Sequence, residues 1–121
     1  MSQHLNPLGQ PVGESLADWQ VPPHPPGQIL EGRLARLEPL VARHAASLYA
    51  AHALDADNRN WTYLPYGPFD TFDSYCAWID THCRGRDPLF YAIVERTSDA
   101  AVGVASYLRV APASGSIEVG H

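Results

Sequence analysis

Hydrophobic and polar positions change their period several times along the chain, and each change predicts a different element. Residues 33–37 alternate polar and apolar side chains as a half-buried strand does, and Glu38-Pro39 ends that segment. The Ala-rich segment 40–54 predicts a helix. One stripe at helical spacing runs along it, formed by Val41, Ala45, Leu48 and His52.

A second helix is predicted to end at Cys83 and to begin at Asp70 or Thr71, either of which can cap it. Its apolar face consists of Phe72, Cys76, Ile79 and Cys83. Gly85 lies just beyond its end, where glycine commonly terminates helices. Two helices therefore follow the first strand.

The last part of the chain predicts three strands joined by two short turns. Segments 89–95 and 101–110 are rich in β-branched and aromatic residues, and residues 97–99 suit a hairpin connection between them. Residues 112–115 form the next turn, and the third strand runs over 117–121. The order of strand, helix, helix and antiparallel three-stranded meander predicts an α+β fold with the helices packed on the sheet.

Two further features bear on the domain organisation. The sequence stops inside the third meander strand, with neither a turn nor a polar tail after it, so we expect residues 32–121 to be the amino-terminal half of a larger domain. Residues 1–31 predict a Pro-rich extended arm, because proline lacks a backbone donor and favours extended conformations. Trp19 either anchors this arm on the domain or belongs to an unanchored leader.

Composition excludes several function classes. The net charge is −5, and the eight basic residues, all Arg, form no dense run, so nucleic acid is not an expected partner. Cys76 and Cys83 would lie two turns apart on a helix, too far for a disulfide bond. No apolar run is long enough for a membrane span and the first residues do not resemble a signal peptide, so a cytoplasmic location is predicted. The six histidines show no metal-site spacing, so no metal is expected.

Two short sequence motifs resemble those of a known family. They are WTYLPYGPF, from Trp61 to Phe69, and IEVGH, from Ile117 to His121, with GVASYLRV on the preceding strand. Together with the order of elements over 32–121, they resemble the first half of a GNAT-superfamily N-acetyltransferase. Within that superfamily, the two motifs are most similar to those of the branch of ribosomal-protein N-terminal acetyltransferases.

The resemblance implies transfer of an acetyl group from acetyl-CoA to an amine, either a protein N-terminus or a small molecule. Glu118 is then the candidate catalytic base, and the alternative is an ion pair with an arginine such as Arg109. Val119, Gly120 and His121 are the candidate cofactor-binding residues, through main-chain bonds to the pantetheine arm. Gly120 is also consistent with an ordinary β-bulge.

The aromatic loop 55–69 supplies the candidate substrate-binding residues Trp61, Tyr63 and Tyr66, whose alternative role is to fill the space between helices and sheet. The family's Q/R-x-x-G-x-G/A pyrophosphate loop is absent from the sequence, so the 121-residue chain is expected to be inactive by itself. A second hypothesis treats the chain as a non-catalytic module that pairs its exposed edge strand with a partner or with a second copy in a homodimer.

Overall fold

The computed structural model describes residues 3–121. Its largest element is a five-stranded antiparallel sheet with the order β3-β4-β5-β6-β7. The strands are β3 (Leu30–Glu31), β4 (Ala35–Pro39), β5 (Leu89–Glu95), β6 (Ala100–Ala111) and β7 (Ser116–Gly120). Two further short strands in the arm, β1 (His4–Leu5) and β2 (Pro11–Val12), pair only with each other.

Two helices lie between β4 and β5 in the sequence. Helix α1 (Ala45–His52) continues directly from a 3-10 turn at Ala42–His44, and helix α2 (Phe72–His82) follows the aromatic loop. Thr71 caps α2, because its hydroxyl accepts the main-chain N–H of Ser74 at 3.1 Å. The structure confirms the predicted fold class and order of elements.

The core lies between the helices and one face of the sheet. Helix α2 buries Tyr75, Trp78 and Ile79 there. Strand β5 contributes alternate residues, since Phe90, Ala92 and Val94 are buried in the same cluster. Residues paired directly across antiparallel strands share a face, so Ser106 and Gly120, which follow Phe90 in register, also lie on the helix side.

Strand β4 differs from the prediction at its end. It includes Glu38 and Pro39, whereas the alternation had ended at Leu37. Pro39 is tolerated because β3 pairs only with Arg36 and Leu37, so that one edge of β4 is open where the proline lacks a donor. The two-residue strand β3 has no recognisable sequence pattern, and it adds a fifth strand to the four that were expected.

The arm also has structure beyond an extended chain. Its β1–β2 hairpin turns through Gly9, which has φ +79°. The Trp19 indole lies against the turn between β6 and β7, because a Cβ on Gly115 would meet Cζ2 of Trp19 at 3.2 Å. The arm thus contacts the sheet beside β7.

Strand β6 is irregular near β7. Its register shifts between Leu108 and Ala111, and Arg109 adopts φ +49°. Both carboxylate oxygens of Asp87 accept main-chain N–H groups there, from Arg109 at 2.9 Å and from Val110 at 3.0 Å. Asp87 therefore holds the distortion from the loop that precedes β5.

Candidate active site

Two cavities adjoin the C-terminal end of β7, and both are lined by Tyr66 and His121. The first, of about 410 Å³, lies between the aromatic loop and α2; its other lining residues are Pro65, Trp78, His82, Pro88 and Phe90. The second, of about 330 Å³, lies between α1 and β6; its other lining residues are Ala51, His52, Asn60, Trp61, Leu64, Val102, Gly103 and Val104. No carboxylate lines either cavity within residues 3–121.

Packing of aromatic rings positions Tyr66. Its ring centroid lies 4.5 Å from that of Trp78 and 6.2 Å from that of Trp61. The turn that allows this needs Gly67, which has φ +72° and whose added Cβ would lie 2.4 Å from the Trp61 ring. The loop therefore reaches the sheet through a glycine that no other residue can replace without strain.

A hydrogen bond joins Tyr66 to the end of β7. Its hydroxyl oxygen lies 2.8 Å from Nδ1 of His121, whose main-chain carbonyl accepts a hydrogen bond from the hydroxyl of Ser106. Burial, with a smaller contribution from Cys83, raises the pKa of Tyr66 to about 12. The phenol therefore keeps its proton over the physiological pH range.

Trp61 and His52 form the wall of the second cavity. Trp61 is 9% exposed, and its ring centroid lies 4.9 Å from that of His52 in an edge-to-face contact. Nε2 of His52 lies 3.2 Å from the hydroxyl of Tyr75. Burial lowers the pKa of His52, and the nearby Asp55 opposes that shift only in part.

The other predicted substrate residue lies elsewhere. Tyr63 is 96% exposed and lines neither cavity. It sits between Trp61 and Tyr66 in sequence, yet the loop turns its side chain into solvent. The structure thus brings Trp61 and Tyr66 together with His121 and leaves Tyr63 apart.

Glu118 lies on β7 opposite Leu108, on the helix-facing side of the sheet. Its side chain is 49% exposed, and its Oε2 lies 3.4 Å from Nε of Arg109. It lines neither cavity. The ion pair that the sequence offered as an alternative is therefore present, and the role of Glu118 as a base stays a prediction.

The remaining predicted residues form the outer edge of β7. Val119 is 71% exposed and pairs with Tyr107 on the face opposite the helices. A Cβ on Gly120 would meet Cδ2 of Leu108 at 2.9 Å, so the glycine gives room to that side chain. Their predicted contacts with a coenzyme are main-chain contacts, and these stay predictions.

Three residues at the cavities or beside His121 were not among the predicted site residues: His52, His82 and Ser106. The sequence does contain a signal for His52, because a histidine on the otherwise apolar stripe of a helix requires a polar partner. Ser106 is 2% exposed within an apolar strand, which is a comparable signal.

Among the described residues, no group of His, Cys, Asp and Glu is arranged to hold a metal ion. None of the helices in that range has the length and apolar character that crossing a membrane requires.

The fold of this chain resembles that of two solved structures. A GCN5-related N-acetyltransferase from Brucella melitensis aligns with a TM-score of 0.81 and 36% sequence identity, over 87% of this chain and 48% of its own. A probable acetyltransferase of the GNAT family from Chromobacterium violaceum ATCC 12472 aligns with a TM-score of 0.77 and 34% identity, over 92% of this chain and 56% of its own. This chain thus spans about half the length of these structures.

No protein-family model matches the sequence, and no curated protein matches it. The two structural alignments, at identities above 30%, therefore carry the comparison. The structural neighbours of this chain are GNAT-family N-acetyltransferases, and its helices and antiparallel sheet have the fold of that family.

Proposed function

We propose that this chain forms the amino-terminal, acceptor-side half of an N-acetyltransferase that transfers the acetyl group of acetyl-CoA to an amine. One observation carries the proposal: the chain aligns over 87% of its length, with a TM-score of 0.81 and 36% identity, to a GCN5-related N-acetyltransferase. Its two cavities open beside the strand that would hold the thioester in such an enzyme.

The acceptor is a primary amine, on a protein N-terminus or a small molecule. The motifs WTYLPYGPF and IEVGH support membership of the branch that acetylates ribosomal-protein N-termini. Both motifs supply lining residues of the second cavity, namely Trp61, Tyr66 and His121. Their apolar and aromatic walls would bury the carbon skeleton next to the amine and exclude water from it.

The residues present fit part of the coenzyme. Strand β7 is the last strand of the sheet within residues 3–121, and no other strand pairs with its outer main chain. An extended chain that carries amide groups, such as pantetheine, can add to that edge at Val119 and Gly120. Neither α1 nor α2 begins after a glycine-rich turn, so the described residues lack the usual pyrophosphate-binding arrangement.

The reaction needs a neutral amine and a proton acceptor. When bound, acetyl-CoA supplies an acyl carbon that is activated as a thioester. An amine with a pKa well above 7 is mostly protonated at neutral pH, and a positioned base contributes roughly 10²–10⁴-fold to such a step. Two residues at the end of β7 are candidates for that base: Glu118, paired with Arg109, and His121, at the cavity wall.

The test is acetyl transfer by the protein expressed from its own coding sequence. We expect transfer of radiolabelled acetyl from acetyl-CoA to a panel of N-terminal peptides and small amines, with at least one acceptor saturating. The double variant Trp61→Leu with Tyr66→Leu should raise the KM for that acceptor more than the KM for acetyl-CoA. Absence of transfer to every class of amine would overturn the proposal.

One observation favours a second candidate function. The open edge of β7 carries Val119 and Ile117, which are 71% and 48% exposed. Such an edge can pair with a partner strand or with a second copy of the chain. Sedimentation velocity would show a concentration-dependent dimer if the edge pairs with itself, and Val119→Lys should weaken that dimer.

A further inference from the structure

We infer that the His121 imidazole, oriented by Tyr66, accepts the proton of the acceptor amine. This inference rests on the proposed acetyl transfer and assigns its base.

The cavities limit the candidates. Their titratable lining groups are His52, His82, His121 and Tyr66, and none of their lining residues in the described part of the chain is Asp, Glu, Lys or Arg. Only Tyr66 and His121 line both cavities. An amine at the junction of the two cavities therefore meets an imidazole and a phenol, and among residues 3–121 no Asp or Glu side chain.

Three contacts hold His121. Ser106, itself buried, donates its hydroxyl hydrogen to the His121 carbonyl. Nδ1 lies 2.8 Å from the Tyr66 hydroxyl oxygen. The two rings also touch, with centroids 5.3 Å apart. The main chain and one ring nitrogen are thus both fixed, while Nε2 has no hydrogen-bond partner within residues 3–121.

The hydrogen bond to Tyr66 defines what Nε2 can do. In the productive tautomer, Nδ1–H donates to the Tyr66 oxygen, and the lone pair of Nε2 is available to accept a proton. The same bond persists once Nε2 is protonated, because the phenol oxygen still accepts from Nδ1–H. Tyr66 therefore supports both states of the ring without turning it. In this role Tyr66 is a positioning residue.

The other two histidines each line only one of the cavities, His82 the first and His52 the second. His52 lies against the Tyr75 hydroxyl, at 3.2 Å, and His82 lies 2.7 Å from the Thr81 hydroxyl. Glu118 is three residues from His121 in sequence but pairs with Arg109 and lines neither cavity. Of the groups on or just after β7, His121 is the one placed to meet an amine.

The lone pair of the amine nitrogen forms the new N–C bond while the C–S bond of the acetyl thioester breaks, and the thiolate keeps that bond's electron pair. Nε2 of His121 takes the proton that the nitrogen gives up. The imidazolium then passes this proton to the thiolate or to water, which restores the neutral ring.

The first experiment measures pH–rate profiles of acetyl transfer. We compare the unmodified protein with His121→Gln, Glu118→Gln and His4→Gln, the last being the same substitution at an exposed histidine of the arm. His121→Gln should lower kcat/KM by roughly 10²-fold or more and remove the ascending limb of the profile. His4→Gln should behave as the unmodified protein does. If Glu118→Gln removes that limb and His121→Gln keeps it, Glu118 is the base and the inference is wrong.

The second experiment reads the ring directly. NMR of imidazole nitrogens in the 121-residue chain should show His121 as the Nδ1–H tautomer, and Tyr66→Phe should change the balance between its two tautomers. A His121 signal that Tyr66→Phe does not change would overturn the positioning role. This measurement needs no catalysis, whereas absence of acetyl transfer by the unmodified protein would remove the proposed function and this inference with it.

Discussion

Nε2 of His44 lies 2.7 Å from Oε2 of Glu38, and this contact ties the turn before α1 to strand β4. Nδ1 of the same ring accepts the main-chain N–H of Val41 at 3.1 Å, so Nε2 carries the hydrogen and donates it to the carboxylate. Arg36 and Arg43 donate to the same carboxylate at 2.7 Å and 2.6 Å. A buried acid thus has three donors.

The Glu38 cluster predicts sensitivity to acid. Hydrogen bonds from Arg36, and then from His44, lower the pKa of Glu38 from 4.5 to about 2. Because the folded-state pKa lies below the ordinary one, the stabilisation is complete above pH 4.5 and disappears as the pH falls through about 2. Glu38→Gln should lower the free energy of unfolding at pH 7 by roughly 1–3 kcal/mol, and the deficit should shrink below pH 4.5.

Urea titrations between pH 7 and pH 2 measure that difference. Glu14→Gln, at an exposed position of the arm, is the matched control and should follow the unmodified protein throughout. A deficit for Glu38→Gln that stays constant down to pH 2 would show that the charge of Glu38 does not matter.

Gly67 predicts a large effect from one methyl group. Its φ is +72°, and an alanine Cβ would lie within 2.4–2.9 Å of the Trp61 ring. Gly67→Ala should therefore lower the free energy of unfolding by roughly 1–3 kcal/mol and disturb the wall of the second cavity. Gly85→Ala, where no atom lies within 4 Å of the new Cβ, should change it by less than about 0.5 kcal/mol. Equal denaturation midpoints for the two variants would contradict the packing argument.

Asp87 predicts a local effect on β6. Asp87→Ala removes the acceptor of two main-chain N–H groups, those of Arg109 and Val110, and should cost roughly 1–2 kcal/mol of stability. Hydrogen exchange of these two amides should accelerate more than exchange elsewhere in β6. Asp87→Asn keeps one acceptor oxygen, so an intermediate effect is expected, while exposed Asp18→Ala serves as the neutral control. Unchanged exchange at both amides would refute the role of Asp87.

The 121-residue chain is expected to have very low affinity for acetyl-CoA. Under the proposed function, pantetheine would add to the open edge of β7, but the sequence contains no glycine-rich loop that opens a helix for the pyrophosphate. Isothermal calorimetry of this chain with acetyl-CoA should therefore show no measurable binding. Micromolar binding would mean that other residues of the chain hold the pyrophosphate.

Much of the fold was predictable because its signals are local. Strand β5 has the bounds that the β-branched and aromatic pattern predicted, and Thr71, one of the two predicted caps, caps α2. Capping, alternation and turn chemistry act within a few residues, so the sequence alone shows them. The two-residue strand β3 escaped prediction, because only its pairing with Arg36 and Leu37 defines it.

In the candidate site, too, the sequence indicates individual residues, whereas the fold decides which of them lie together. The family resemblance of the sequence pointed to Trp61, Tyr63, Tyr66 and residues 118–121, but it could not show which of them lie together. The fold separates these residues: it buries Trp61, exposes Tyr63 and joins Tyr66 to His121 across 55 positions of sequence. Such pairings depend on how the loop, the helices and β7 pack in three dimensions, and no local pattern encodes a contact between segments so far apart.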